Sequence, residues 1–169
     1  LVCEIRNENT VELVKKFSGC HFRELERKSA IPYGTLKYHL NFLVKHKLLL
    51  SKKENNNLRY FPKDFKTENT ELLSLLRQKQ TRKIILFLLE KENPYHEEIA
   101  RFANLSPSTT SWHLNKLTAK NIISSEKIGR KTKYKLTTDK NEIIKLLITY
   151  KESFVDSLVN RAIEMWEIQ

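Results

Sequence analysis

The sequence predicts a mainly α chain with small antiparallel β-wings: two tandem winged helix-turn-helix domains plus a C-terminal helical tail. Three observations carry this prediction. Tyr38-His39-Leu40-Asn41-Phe42-Leu43 returns without a gap as Trp112-His113-Leu114-Asn115-Lys116-Leu117, an offset of 74 residues from His39 to His113. Leu25 and Ile99, Ile31 and Leu105, Thr35 and Thr109, Leu48-Leu49 and Ile122-Ile123, and Tyr60 and Tyr134 keep the same offset. A repeat of this length is one domain written twice. Glycine is scarce, at 3 residues of 169, and apolar residues recur mainly at helical spacing. In each copy, helical spacing then gives way to short strand-like runs around a polar turn.

The elements follow in order. Val11, Leu13, Val14 and Phe17 give a short amphipathic helix from Thr10 to Phe17, ended by Ser18-Gly19. Residues 21–29 form a second helix with Phe22 and Leu25 inward. Ile31-Pro32-Tyr33-Gly34 turns into a third helix, with Pro32 in its first turn, where a missing N–H costs nothing. Leu36, Leu40 and Leu43 make the stripe by which this helix packs on the first two. Leu48 to Lys53 and Leu58 to Phe61 are the hairpin strands, and Pro62 limits the second. A linker helix covers Glu71 to Lys79. The second copy then has helices at Arg82 to Glu90, Glu97 to Phe102 and from the Ser106 cap to about Lys120, with strands at Ile122 to Lys127 and Thr132 to Leu136. Helix, helix, turn, helix and hairpin is the winged helix-turn-helix order. The predicted organisation is 1–66 for the first domain, 67–138 for the linker helix and second domain, and 139–169 for the tail. If continuous, that tail would reach roughly 40 Å, and Ser153 is placed to cap a second segment and bend it. Its apolar residues cover more than one face, so it needs a partner: the linker helix, the first domain or a second chain.

Lys and Arg outnumber Asp and Glu by 31 to 20, a net charge of +11. Such a balance suits a polyanionic partner, nucleic acid or an anionic membrane surface. No apolar run has the length of a bilayer span. Cys3 and Cys20 have no partner motif, so a disulfide framework is not expected and a reducing cytoplasm is. No metal or cofactor is expected: there is no His/Cys cluster at ligand spacing and no Gly-rich phosphate loop. Catalytic pairs and triads with supporting context are absent as well, so the chain does not read as an enzyme. Glu24 and Glu97-Glu98, on the second helices, read as helix-dipole partners and solvated surface.

In a helix-turn-helix the third helix presents its N-terminal turns to the major groove while its other face holds the core. Subtracting the core stripe leaves Tyr33, Thr35, Lys37, Tyr38 and Asn41 outward in the first copy, and Ser106, Ser108, Thr109, Ser111, Trp112 and Asn115 in the second. Hydroxyls and amides bond phosphates or base edges, and Asn can read adenine. Neither set contains Arg, so strong guanine readout is not predicted. For Tyr38 and Trp112, core packing and outward contact both remain open on the sequence. His39 and His113 suit a hydrogen-bonded site near the hairpin better than a metal site. The hairpins carry Lys52, Lys53 and Arg59 in the first copy and Lys127, Arg130, Lys131 and Lys133 in the second. Basic tips of this kind reach phosphates or the minor groove, although Lys also blunts a free strand edge.

His21-Phe22-Arg23-Glu24-Leu25 with Tyr33-Gly34-Thr35-Leu36-Lys37-Tyr38-His39-Leu40 resembles the first domain of archaeal tandem winged-helix transcriptional regulators. Leu105-Ser106-Pro107-Ser108-Thr109-Thr110-Ser111-Trp112-His113-Leu114 and the hairpin to Tyr134 resemble their second, ArsR/MarR-like domain, and the tail from Tyr150 to Trp166 resembles their C-terminal helix. The group includes activators of archaellum operons in methanogens, whose hosts suit a Lys/Ile/Asn-rich composition. Arsenic sensors of the wider superfamily use a clustered Cys motif that this chain lacks, so the resemblance brings no metal site with it. It implies a DNA-binding transcription regulator that works on promoter or operator duplexes and on the basal transcription machinery, in the cytoplasm at the nucleoid. The tail would lock the two domains or form a homodimer. Two domains in one chain can serve half-sites one helical turn, roughly 34 Å, apart. A protein–protein interaction module and a sequence-neutral architectural chromatin protein are the alternatives.

Overall fold

The computed structural model describes residues 2–54, 56–151, 154 and 157–167, with backbone alone at 2–7, 67, 68 and 167. It divides into two compact units, Leu1–Leu73 and Ser74–Gln169. The first contains α1 (Val2–Lys16), α2 (Phe22–Lys28), α3 (Tyr33–Lys45) and the antiparallel pair β1 (Leu49–Glu54) and β2 (Asn57–Pro62). Helix α4 (Thr67–Arg77) runs across the division. The second contains α5 (Lys79–Glu90), α6 (His96–Ala103), α7 (Pro107–Ala119), the antiparallel pair β3 (Ile123–Ile128) and β4 (Lys131–Leu136), then α8 (Lys140–Thr149) and α9 (Ser157–Glu167).

The 74-residue offset holds in the backbone as well as in the sequence. Strand register runs from Leu49 opposite Pro62 to Glu54 opposite Asn57, and from Ile123 opposite Leu136 to Ile128 opposite Lys131. A lone bridge ties His21 to Arg59 in the first unit and Tyr95 to Lys133 in the second. Beside it the Tyr60 amide donates to Cys20 O at 3.1 Å and the Tyr134 amide to Pro94 O at 3.0 Å. These bonds hold each hairpin to the segment that starts the second helix. Both segments begin after a left-handed residue, Gly19 (φ 79°) and Asn93 (φ 52°), types that tolerate this region.

Helix ends show the same pairing. Glu24 accepts from the His21 N–H at 3.0 Å and Glu98 from the Tyr95 N–H at 2.8 Å; in α2 the box is reciprocal, with the Glu24 N–H donating to His21 Nδ1 at 3.4 Å. The third helices close with left-handed Lys47 and Asn121, after which Leu48 N–H donates to Leu43 O at 2.9 Å and Ile122 N–H to Leu117 O at 3.0 Å. This six-to-one closure reverses the chain directly into the hairpin.

In the first unit Val14, Cys20, Leu25, Leu36, Leu40, Leu43, Leu49 and Tyr60 form one buried cluster. The second buries Ile84, Ile85, Ile99, Thr110, Leu114 and Leu117 at the corresponding helices, so the stripes read from spacing are the stripes that pack.

Several boundaries differ from the sequence reading. Helix α1 starts at Val2 rather than Thr10, and α5 at Lys79 rather than Arg82; the polar opening of α5, Lys79-Gln80-Thr81, carries no apolar periodicity to show itself. Pro32 stands at the N-cap of α3, one residue before its first turn. The tail is two helices, the segmented one of the two forms read from the sequence. Ser153, the residue placed to cap its second segment, lies outside the described residues, as does Val155. Helix α9 packs on α5 and α8, burying Val159 and Ile163. Folding back buries apolar positions on more than one face, which a single straight helix leaves in water. Ile163→Ala is accordingly expected to lower second-unit stability by about 2–5 kcal/mol, measurable as an earlier denaturant midpoint with an unchanged slope.

Candidate nucleic-acid interface

Helix α3 is buried along Leu36, His39, Leu40 and Leu43. That leaves Tyr33, Lys37, Tyr38 and Asn41 exposed, with Thr35 half-buried at the margin. Tyr33 packs edge-on against Phe22 of α2, centroids 5.0 Å apart, so one ring contact clasps the helix pair. Lys37 Nζ lies 5.7 Å from the same Tyr33 ring. Tyr38 is 60% exposed, which answers for the free protein the question of packing or outward placement.

Helix α7 repeats the arrangement with different chemistry. Its buried face is Thr110, His113, Leu114 and Leu117. Ser106 caps it, accepting from the Thr109 N–H at 3.2 Å, with Ser108 Oγ and Thr109 Oγ1 at 3.1 and 2.8 Å from Ser106 Oγ. Ser106, Ser108, Thr109, Trp112 and Asn115 are exposed. Ser111 differs: its hydroxyl donates to Pro107 O at 3.0 Å and lies 2.9 Å from His96 Nε2. With its proton given to the carbonyl, Ser111 accepts from His96, and this bond does between α6 and α7 what the Phe22–Tyr33 contact does between α2 and α3.

The wings are unequal. Lys52 and Lys53 are exposed on β1, and Lys52 Nζ donates to Thr70 Oγ1 at 3.3 Å. Arg59 does not join them. Its guanidinium donates to Glu54 Oε2 and Gly19 O, both at 2.8 Å, and its side chain is 14% exposed. On the second wing Lys127, Arg130 and Lys131 stand exposed around Gly129, whose φ of 62° makes the turn. Lys133 is half-buried with Nζ 5.0 Å from the Tyr95 ring, and Lys131 Nζ lies 5.4 Å from that ring.

His96 and Tyr95 are the residues sequence reasoning passed over. Their signal lay in the offset, which pairs Tyr95 and Lys133 with His21 and Arg59. His113 fills a hydrogen-bonded site, and its partner is on α5. It is buried with Nδ1 3.1 Å from Thr81 Oγ1. Burial, and then the nearby Lys116 charge, hold its imidazole below the usual value of 6.5. Glu98 is held below the usual carboxylate range by its hydrogen bonds from Lys91 and the Tyr95 amide. Among the described residues no group of three or more His, Cys, Asp or Glu is placed to hold a metal ion.

Residues 5–73 match the description of an N-terminal helix-turn-helix domain, and residues 79–125 that of the bacterial regulatory protein, ArsR family. The chain carries two helix-turn-helix domains in tandem, the second of the ArsR type. It is 36% identical over 116 residues to an uncharacterized HTH-type transcriptional regulator of Methanocaldococcus jannaschii, covering 69% of this chain and 29% of that protein. It is 37% identical over 79 residues to the uncharacterized HTH-type transcriptional regulator YdfF of Bacillus subtilis, covering 46% of this chain and 35% of that one. The chain thus spans about a third of the length of the curated relatives it matches. No helix among the described residues is long and apolar enough to cross a membrane.

In the ArsR-type domain the depressed His113 sets a pH dependence. The unfolded imidazole takes a proton near 6.5 and the folded one only at lower pH, so the unfolded state binds more protons between the two values. Stability is expected to be full above about pH 6.5 and to fall as pH drops through the folded value. Denaturation midpoints measured from pH 7.5 downward should show this decline, and His113→Gln should flatten it.

Proposed function

We propose that the chain is a sequence-specific, double-stranded DNA-binding transcription regulator. The observation that carries this reading is the doubled geometry: a third helix with one buried face and one polar-aromatic exposed face, followed each time by a Lys-bearing wing. In this reading α3 and α7 enter major grooves by their first turns, and the wings lie on phosphates or in a minor groove. The names of the two relatives, both HTH-type transcriptional regulators, support the role. So does the net charge of +11. The partner is promoter or operator DNA at the nucleoid, with the basal transcription machinery downstream. We assign any homodimer contact to the outer faces of α8 and α9, where Ile148 and Met165 are exposed.

The unequal wings divide the work. The second supplies most of the phosphate contact, whereas Arg59, paired with Glu54, braces the first. Changing Lys127, Arg130, Lys131 and Lys133 together to Ala should flatten the dependence of log K on log salt by about three to four units, against at most about two for Lys52 with Lys53. Fluorescence anisotropy with promoter duplexes across a salt series measures both. Arg59→Ala should lower thermal stability more than it changes the slope. Unchanged affinity and slope in the fourfold variant would remove the second wing from the mechanism. A steep slope without sequence preference would favour an architectural protein, and no duplex binding an interaction module.

A further inference from the structure

The two third helices share one exposed pair amid flanks that differ. Tyr38 and Trp112 are equivalent under the 74-residue offset and are 60% and 59% exposed. Each stands three residues before an exposed Asn, Asn41 and Asn115, so ring and amide are neighbours on one face. Around them Tyr33 is opposed to Pro107 and Lys37 to Ser111. Tyr38 is stacked at 6.4 Å on Phe42, and Trp112 carries Lys116 Nζ at 5.4 Å, yet well over half of each aromatic residue stays in water. A large ring exposed at the same place in two domains is available to a partner outside the domain.

In a major groove, the base-edge group offering apolar contact is the thymine C5 methyl, and the pattern a carboxamide meets with two bonds is adenine N7 with N6. Both lie on A·T pairs. Guanine readers are short by comparison. Neither α3 nor α7 contains Arg. Lys116 donates to Gln78 Oε1 at 2.8 Å, and Lys37 lies beside Tyr33.

We propose that each domain reads A·T pairs at the centre of its half-site, with Asn41 and Asn115 on adenine and Tyr38 and Trp112 against a neighbouring thymine methyl. The differing flanks make the two half-sites related but unequal. The inference rests on the DNA-binding reading above and adds the base class.

The test uses the full chain and duplexes selected from a pool with a randomised centre. The selected duplex is then resynthesised with deoxyuridine for thymine, which removes the C5 methyl, or with 7-deazaadenine for adenine, which removes N7. Selection should enrich A·T pairs at the centre, and each analogue should weaken binding about fivefold or more. The paired change Tyr38→Ala with Trp112→Ala should bind thymine and deoxyuridine duplexes equally. Asn41→Ala with Asn115→Ala should no longer distinguish 7-deazaadenine. Because the analogues alter only the DNA, a folding defect cannot imitate their effect. Guanine-rich centres, equal binding of the unaltered protein to thymine and deoxyuridine duplexes, or duplex binding without any preference would overturn the inference and leave DNA binding standing. Failure to bind any duplex would instead overturn DNA binding itself.

Discussion

Everything outward in this protein depends on which side of the third helix is buried. With 3.6 residues per turn, committing Leu36, Leu40 and Leu43 to the core leaves Tyr33, Lys37, Tyr38 and Asn41 facing water. The second copy obeys the same constraint although Thr110 replaces a leucine: its hydroxyl donates to Ser106 O at 2.9 Å, so a polar residue sits in the buried stripe with its hydrogen bond made. The burial that stabilises each helix also aims its opposite face. Fold and exposed face are therefore one decision.

Backbone closure carries that decision into the wing. The left-handed Lys47 and Asn121 end the third helices, and the Cys20–Tyr60 and Pro94–Tyr134 bonds hold the returning strands. A Lys-rich hairpin has little strand propensity of its own, so its position depends on these anchors. Side chains then individualise the copies. Arg59 is spent on Glu54 and the Gly19 carbonyl, while its counterpart Lys133 lies beside the Tyr95 ring. One wing is braced by an ion pair; the other leaves Lys127 and Arg130 exposed and sets Lys131 and Lys133 beside an aromatic ring.

Much of this was legible in the chain. The repeat, the core stripes, the hairpins and the outward faces of the third helices follow from periodicity and from comparing two copies of one unit. Helix starts were less legible: the opening turn of α5, Lys79-Gln80-Thr81, is polar and carries no apolar rhythm. The partner of His113 was not legible either: Thr81 lies 32 positions away and meets it only when α5 packs on α7. For the same reason the charge of a residue said nothing about its availability. Arg59 looked like Lys52 and Lys53 until Glu54 and Gly19 were placed beside it.

By itself, then, the sequence determined the doubled architecture and the faces of its helices, since both are written in local spacing that one turn of helix or one strand can express. The tertiary structure alone decided how the tail folds back on α5 and α8, that Arg59 is held by Glu54 and Gly19, and that Ser111 is held by His96 while Trp112 stays open. Those outcomes depend on contacts between residues far apart in the chain, and hydrogen-bond geometry and burial there are set by packing rather than by spacing.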